Sequence, residues 1–96
     1  MVLLTDKKGT KIIELNRNTI IKYYDTDIVT FNKAKIVLNS GGHLTPTTRI
    51  RMNQASKTFD LGFVVHQKDF KWIVTAGGRN TIIRTVPFYD GIEIFR

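Results

Sequence analysis

Between Asn39 and Gly62 the chain reads NSGGHLTPTTRIRMNQASKTFDLG, its densest run of basic and hydrogen-bonding side chains. Arg49, Asn53 and Lys57 recur at i, i+4 and i+8, with Arg51 and Gln54 beside them. On a helix that spacing gathers them along one face. Arginine can bond guanine bidentately, asparagine and glutamine can do so to adenine, and lysine pairs with phosphate. An ordinary solvated helix back has the same residue types. Just upstream, Gly41-Gly42 leads towards Thr45, Thr47 and Thr48. A glycine turn opening onto a helix N-terminus offers free N–H groups to an anion, and Arg49 and Arg51 follow within a turn. A plain Gly turn and Thr cap would look the same. The spacing is not that of a phosphate-cradling P-loop, whose Lys-Ser/Thr pair is absent.

A second set interleaves aromatics with bases, at Tyr23-Tyr24 and at His66, Lys68, Phe70, Lys71 and Trp72. Single-stranded nucleic acids stack bases on rings of this kind while cations follow the phosphates. In a domain this small, however, Phe63, Trp72, Phe88 and Phe95 are expected in the core. Phe70 is the aromatic hardest to assign to burial, since it falls at an expected hairpin tip. Lys68, Phe70 and Lys71 are therefore also the candidate contact for a protein partner.

Catalysis finds little to work with. His43 and His66 lack the third convergent ligand that a metal site needs. Ser40 and Ser56 stand in no nucleophile motif, and Glu14 and Glu93 fall in strand-like segments. A non-enzyme without metal or cofactor is the expectation.

The elements that must position these side chains are one helix and a set of short strands. Thr45-Pro46 opens the helix, because threonine can cap free N–H groups and proline at the first position loses no needed bond. Thr47 can serve as the cap instead. Thr48, Met52, Ala55 and Phe59 recur on one narrow apolar face, and Leu61-Gly62 offers the left-handed stop, which predicts a helix over about 46–60. So short a helix is marginal alone and must dock on a sheet.

Around it, Val2–Leu4 and Lys11–Leu15 read as a hairpin across Asp6–Gly9, followed by a polar break at Asn16–Asn18. Thr19–Tyr24, Ile28–Phe31 and Lys35–Leu38 are strands by propensity, with Asp25–Asp27 turning the chain between the first two and a tight turn at Asn32-Lys33 joining the last two. After the helix, Phe63–Gln67 and Lys71–Thr75 form a hairpin around Lys68–Phe70. Ala76–Asn80 turns, Thr81–Val86 is a strand that Pro87 ends or places at an edge, and Ile92–Phe95 closes the chain after a turn at Tyr89–Gly91. The prediction is an α+β fold: a small antiparallel β-sheet of seven or eight short strands with one central helix packed on it.

At 96 residues this is a single domain, 1–96, with 42% apolar residues and no cysteine. A disulfide framework or thiolate metal site is thereby excluded. The opening MVLLTDKKG has too short an apolar run for a signal peptide, and no window approaches a membrane span, so a cytoplasmic protein that does not engage a membrane is expected. The formal charge is +7, which favours anionic partners. Seven Lys/Arg and four Asp/Glu lie in residues 1–48, eight and four in 49–96, so no basic tail exists and folding must assemble any positive patch.

Several of these stretches resemble a group of small uncharacterised bacteriophage proteins. The resemblance rests on Lys35–Gly42 (KIVLNSGG), Thr47-Thr48, Arg51–Ser56 (RMNQAS), Leu61-Gly62-Phe63, Gln67-Lys68, Trp72-Ile73-Val74 and Pro87–Gly91 (PFYDG). It spans about residues 35–92. His43-Leu44 departs from a more aromatic pair, and Arg79–Thr85 is a longer insert. The group has no established activity, so the resemblance implies a phage origin, and small phage proteins of this kind are often host-takeover or anti-defence factors. The leading expectation is a non-catalytic accessory protein that binds an anionic partner, nucleic acid or nucleotide, through the helix and its Gly-Gly entrance. The alternatives are an inhibitor docking on a host protein, with an unpaired edge also permitting a homo-oligomer, or a nucleotide-signal sponge.

Overall fold

Two-residue turns organise the first half of the chain. The computed structural model describes residues 9–77 and 83–96. The expected strand at Val2–Leu4, most of the Asp6–Gly9 turn, and Gly78–Ile82 lie outside the described residues. Strand β1 (Thr10–Leu15) pairs antiparallel with β2 (Asn18–Tyr23), Leu15 opposite Asn18. Asn16 and Arg17 between them have φ of 52° and 69°, the doubly left-handed geometry whose twist matches a hairpin. What reads in sequence as a polar break is thus a tight turn. β3 (Thr26–Phe31) and β4 (Lys35–Leu38) continue the meander. The Asn32 side chain builds their turn, its Oδ1 accepting from the N–H groups of Ala34 at 2.7 Å and Lys35 at 3.0 Å.

The helix α1 (Pro46–Thr58) starts as predicted at Thr45, whose Oγ1 accepts from the Thr48 N–H. Its end differs by two residues. Asp60, at φ 53°, takes the left-handed position, and the Leu61 N–H closes back on the Ser56 carbonyl at 2.8 Å. Gly62 has another duty: a Cβ there would stand 2.7 Å from the Gly77 carbonyl oxygen, across the start of the next hairpin. β5 (Phe63–Lys68) and β6 (Lys71–Ala76) follow, then β7 (Arg84–Pro87) and β8 (Ile92–Phe95).

The α+β class and the short antiparallel strands stand as read, but the strands divide into two sheets. β1-β2-β3-β4-β8 form one and β5-β6-β7 the other. One core joins them: Ile21, Ile28, Val29, Ile36, Leu38 and Ile92 from the larger sheet, Phe63, Val65, Trp72 and Val74 from the smaller, and Met52 and Ala55 from α1. The adjacent apolar pairs Ile20-Ile21 in β2 and Ile28-Val29 in β3 interrupt the alternation of a strand, and the pairing accommodates them. The register shifts at Ile21/Lys22, and Ile28 and Val29 are both buried although adjacent.

Phe63 and Trp72 are core, and Phe88 stands edge-on to Trp72 at 5.2 Å between ring centres. Phe95 is not. Ile92 and Ile94 take the inward positions of β8, so alternation turns Phe95 outward and leaves it 73% exposed. Met52 is fully buried where helix and sheets meet. Met52→Ala is therefore expected to destabilise the fold by about 2–5 kcal/mol, read as a lowered denaturant midpoint with an unchanged slope.

Candidate nucleic-acid interface and a cleft at the helix entrance

Strand β5 is an edge of its sheet, and its bonding pattern decides what the helix can do. The Gly77 N–H bonds the Gly62 carbonyl, so Phe63, Val65 and Gln67 turn their backbone groups away from β6. The helix meets two of these in turn. Asn53 Oδ1 accepts from the Val65 N–H at 2.7 Å, and Asn53 Nδ2 donates to the Val65 carbonyl at 2.8 Å. One turn on, Ser56 Oγ accepts from the Phe63 N–H at 3.0 Å and donates to its carbonyl at 2.6 Å. Two side chains thus stand in for a neighbouring strand and cover the edge.

This redistributes the predicted helix face. Both ends of the Asn53 amide face β5, away from any nucleic acid. Gln54 Oε1 accepts from Arg51 Nη1 at 2.9 Å, so that pair is internal to the helix. Lys57 is exposed in the last turn, near the end of α1 remote from Arg49. Arg49 points to the hairpin, its Nη1 donating to Gln67 Oε1 at 3.1 Å. Gln67 immediately precedes Lys68, which pairs with Lys71 across the hairpin. The structure thereby ties the helix arginine to the strand that leads into the Lys68–Phe70–Lys71 tip.

The tip is a two-residue turn, Asp69 at φ 53° and Phe70 at φ 64°. A bulky side chain in the left-handed region is a true outlier. Phe70 is also 95% exposed. Lys68 and Lys71 are exposed on either side of it, and the only ion pairs among the described residues lie elsewhere, Lys22–Asp27 and Lys35–Glu93. Asp69 is the one carboxylate in the turn. On the outward face of the same hairpin, His66 Nε2 and Thr75 Oγ1 lie 3.1 Å apart, and Thr75 Oγ1 and Thr85 Oγ1 a further 3.1 Å. These hydroxyls form a polar row across three strands.

The Gly41-Gly42 entrance is built differently from the anion site its letters suggest. Ser40, buried at its base, donates from N and Oγ to Asp90 Oδ1 at 2.8 and 2.7 Å, tying the loop to the turn before β8. Gly41, at φ 63°, leaves no room for a Cβ beside the Thr26 hydroxyl. Thr45 and Thr48 share a hydroxyl contact of 3.0 Å. Beyond the loop opens a cleft of about 400 Å³, lined by Tyr23, Tyr24, Asp25, Thr26 and Ile28 on one side and by Ser40, His43, Thr45, Thr47 and Thr48 on the other. Neither Arg49 nor Arg51 lines it. Tyr23 ends β2, Tyr24 and Asp25 form the β2–β3 turn, and only the fold brings the tyrosines, read in sequence as candidate stacking rings, together with Asp25 at the helix.

A family model described as Kyanoviridae Gp96 protein matches residues 5–95, nearly the whole chain. The chain belongs to that family. Kyanoviridae Gp96 is a phage protein family of unknown function, so the phage origin implied by the motifs stands. No curated protein and no solved structure matches the chain. Among the described residues, no helix is long and apolar enough to cross a membrane.

Proposed function

We propose that this member of the Kyanoviridae Gp96 family is a small non-catalytic accessory protein that binds single-stranded nucleic acid. The surface is the β5–β6 hairpin tip together with the start of the helix. Phe70 carries the reading: a phenyl ring held 95% exposed, at a backbone angle that disfavours it, between two lysines without acidic partners among the described residues. An exposed ring in a strained turn is retained for contact, and bases of any sequence stack on such a ring. Lys68, Lys71 and Arg49 then meet the phosphates on either side. Lys57, at the other end of the helix, lies outside this surface, and Asn53 and Gln54 serve the fold.

The test is fluorescence anisotropy with labelled single- and double-stranded DNA and RNA across a salt series. Three cations on single-stranded phosphates give a slope of about −2 in log K against log salt. Lys68→Ala with Lys71→Ala is expected to flatten that slope by roughly 1.4, leaving Arg49 alone. Binding absent or insensitive to salt for all four ligands would sink the proposal. The same exposed Phe70 supports a second reading, an anchor for docking on a host protein as a takeover or anti-defence inhibitor. That association would depend on Phe70 but little on salt.

A further inference from the structure

The cleft at the helix entrance is separate from the hairpin surface, and its lining chemistry is unlike that of an anion site. Its reachable apolar material is the rings of Tyr23 and Tyr24, which meet edge to face with centres 4.8 Å apart, Ile28 lying fully buried beneath them. An accessible aromatic pair suits a flat, uncharged ring system. The polar groups are hydroxyls, the His43 imidazole and one carboxylate, Asp25. Among the described residues, no lysine or arginine lines it. Thr45 Oγ1 already accepts the Thr48 N–H, Pro46 has no N–H, and the Arg49 N–H closes on the Thr45 carbonyl at 3.2 Å. That leaves the amides of Thr45 itself and of Thr47 uncapped at this helix end among the described residues. With the Asp25 charge at the same wall, a phosphate is poorly served, whereas ring N–H groups and sugar hydroxyls find an acceptor.

We propose that the cleft between the Tyr23–Asp25 turn and the His43–Thr47 segment binds a neutral nucleoside. One ring packs against the exposed Tyr24, and Asp25 accepts from the base N–H or the ribose hydroxyls. The volume of about 400 Å³ lies within the size range of small-molecule sites and accommodates one base with its sugar. The Asp25 carboxylate, with no cation beside it among the described lining residues, favours an unphosphorylated ligand, which distinguishes this site from a nucleotide sponge.

The test is heteronuclear NMR titration of the full chain with adenosine, guanosine, cytidine and uridine, then with the 5′-monophosphate of whichever binds. At least one nucleoside is expected to shift Thr47, His43 and the β2–β3 turn in a saturable way, with its monophosphate about tenfold weaker because of Asp25. Asp25→Asn, at an exposed position, should narrow that gap, and Tyr24→Ala should weaken the nucleoside about tenfold. Tyr24 also packs over Gly9, so the folded state of that variant is checked by its amide spectrum. Thr47→Arg, which fills the mouth from an exposed helix position, is the second variant and should abolish the shifts. No saturable shift with any of the four nucleosides overturns the proposal, as does a monophosphate that binds more tightly than its nucleoside. A single-stranded oligonucleotide added to Thr47→Arg should still bind through the hairpin, so failure of either site is read independently.

Discussion

Phe70→Gly is expected to raise the thermal midpoint of the protein while weakening its hold on single-stranded nucleic acid about tenfold or more. The two effects have separate physical origins. Phe70 stands at φ 64° in a two-residue hairpin turn, where both central residues must be left-handed. For a residue with a Cβ that geometry costs about 1–2 kcal/mol, and glycine escapes it. Glycine returns part of the gain through the greater freedom of its unfolded chain, about 0.5–1 kcal/mol. At 95% exposure the ring contributes almost no burial to lose. The net is a stabilisation of roughly 0.5–1 kcal/mol, a few degrees in a domain this small. Asp-Gly is also the pair such turns favour, and the chain already supplies Asp69. Loss of binding follows from loss of the stacking surface, with Lys68 and Lys71 still in place. Calorimetry and anisotropy on the same variant check both halves. A higher midpoint with unaltered affinity would remove Phe70 from the interface, and a lowered midpoint would show that the ring supports the fold.

The helix was legible in sequence because its signals are local. Thr45 caps and Pro46 opens where threonine and proline do so by their own chemistry, and the Met52–Ala55 face needs only the helical period. The hairpin at Asp69-Phe70 was legible for the same reason, lying between two β-rich runs. The division into two sheets was not, because it depends on pairings such as β4 with β8, which brings Lys35 opposite Phe95 from far along the chain. The candidate site shows the same limit. Arg49 and Lys68 were each visible as basic residues, but the Gln67 contact that joins them exists only after folding. Asp25 was read as turn punctuation, although its carboxylate sets the character of the cleft. Asn53 was misleading in an informative way. An amide on a basic helix face has the right groups for a base edge, and the same groups match a strand's N–H and C=O.

That equivalence makes Asn53 and Ser56 the most sensitive polar positions in the chain. Asn53→Ala leaves the Val65 N–H and carbonyl without partners under the helix, and Ser56→Ala does the same to Phe63 in a buried place. An unmet buried backbone group costs about 1–3 kcal/mol, so each substitution should remove about 2 kcal/mol and the pair about 4. Two sites one turn apart on a shared edge are coupled, and the double variant will depart from additivity once the helix lifts from β5. Against a total of about 5–14 kcal/mol for a chain of this length, the double variant stands near the threshold of folding. Asn53→Asp discriminates further. It keeps an acceptor for the Val65 N–H but sets a second carboxylate oxygen against the Val65 carbonyl, so it should be no better than alanine at neutral pH. Amide hydrogen exchange locates the damage: Phe63 and Val65 should lose protection while Ile36 and Leu38, in the larger sheet, keep theirs. The opposite pattern, Asn53→Ala with an unchanged midpoint and lost nucleic-acid binding, would return this amide to the ligand face and leave β5 as an open edge free to recruit a strand.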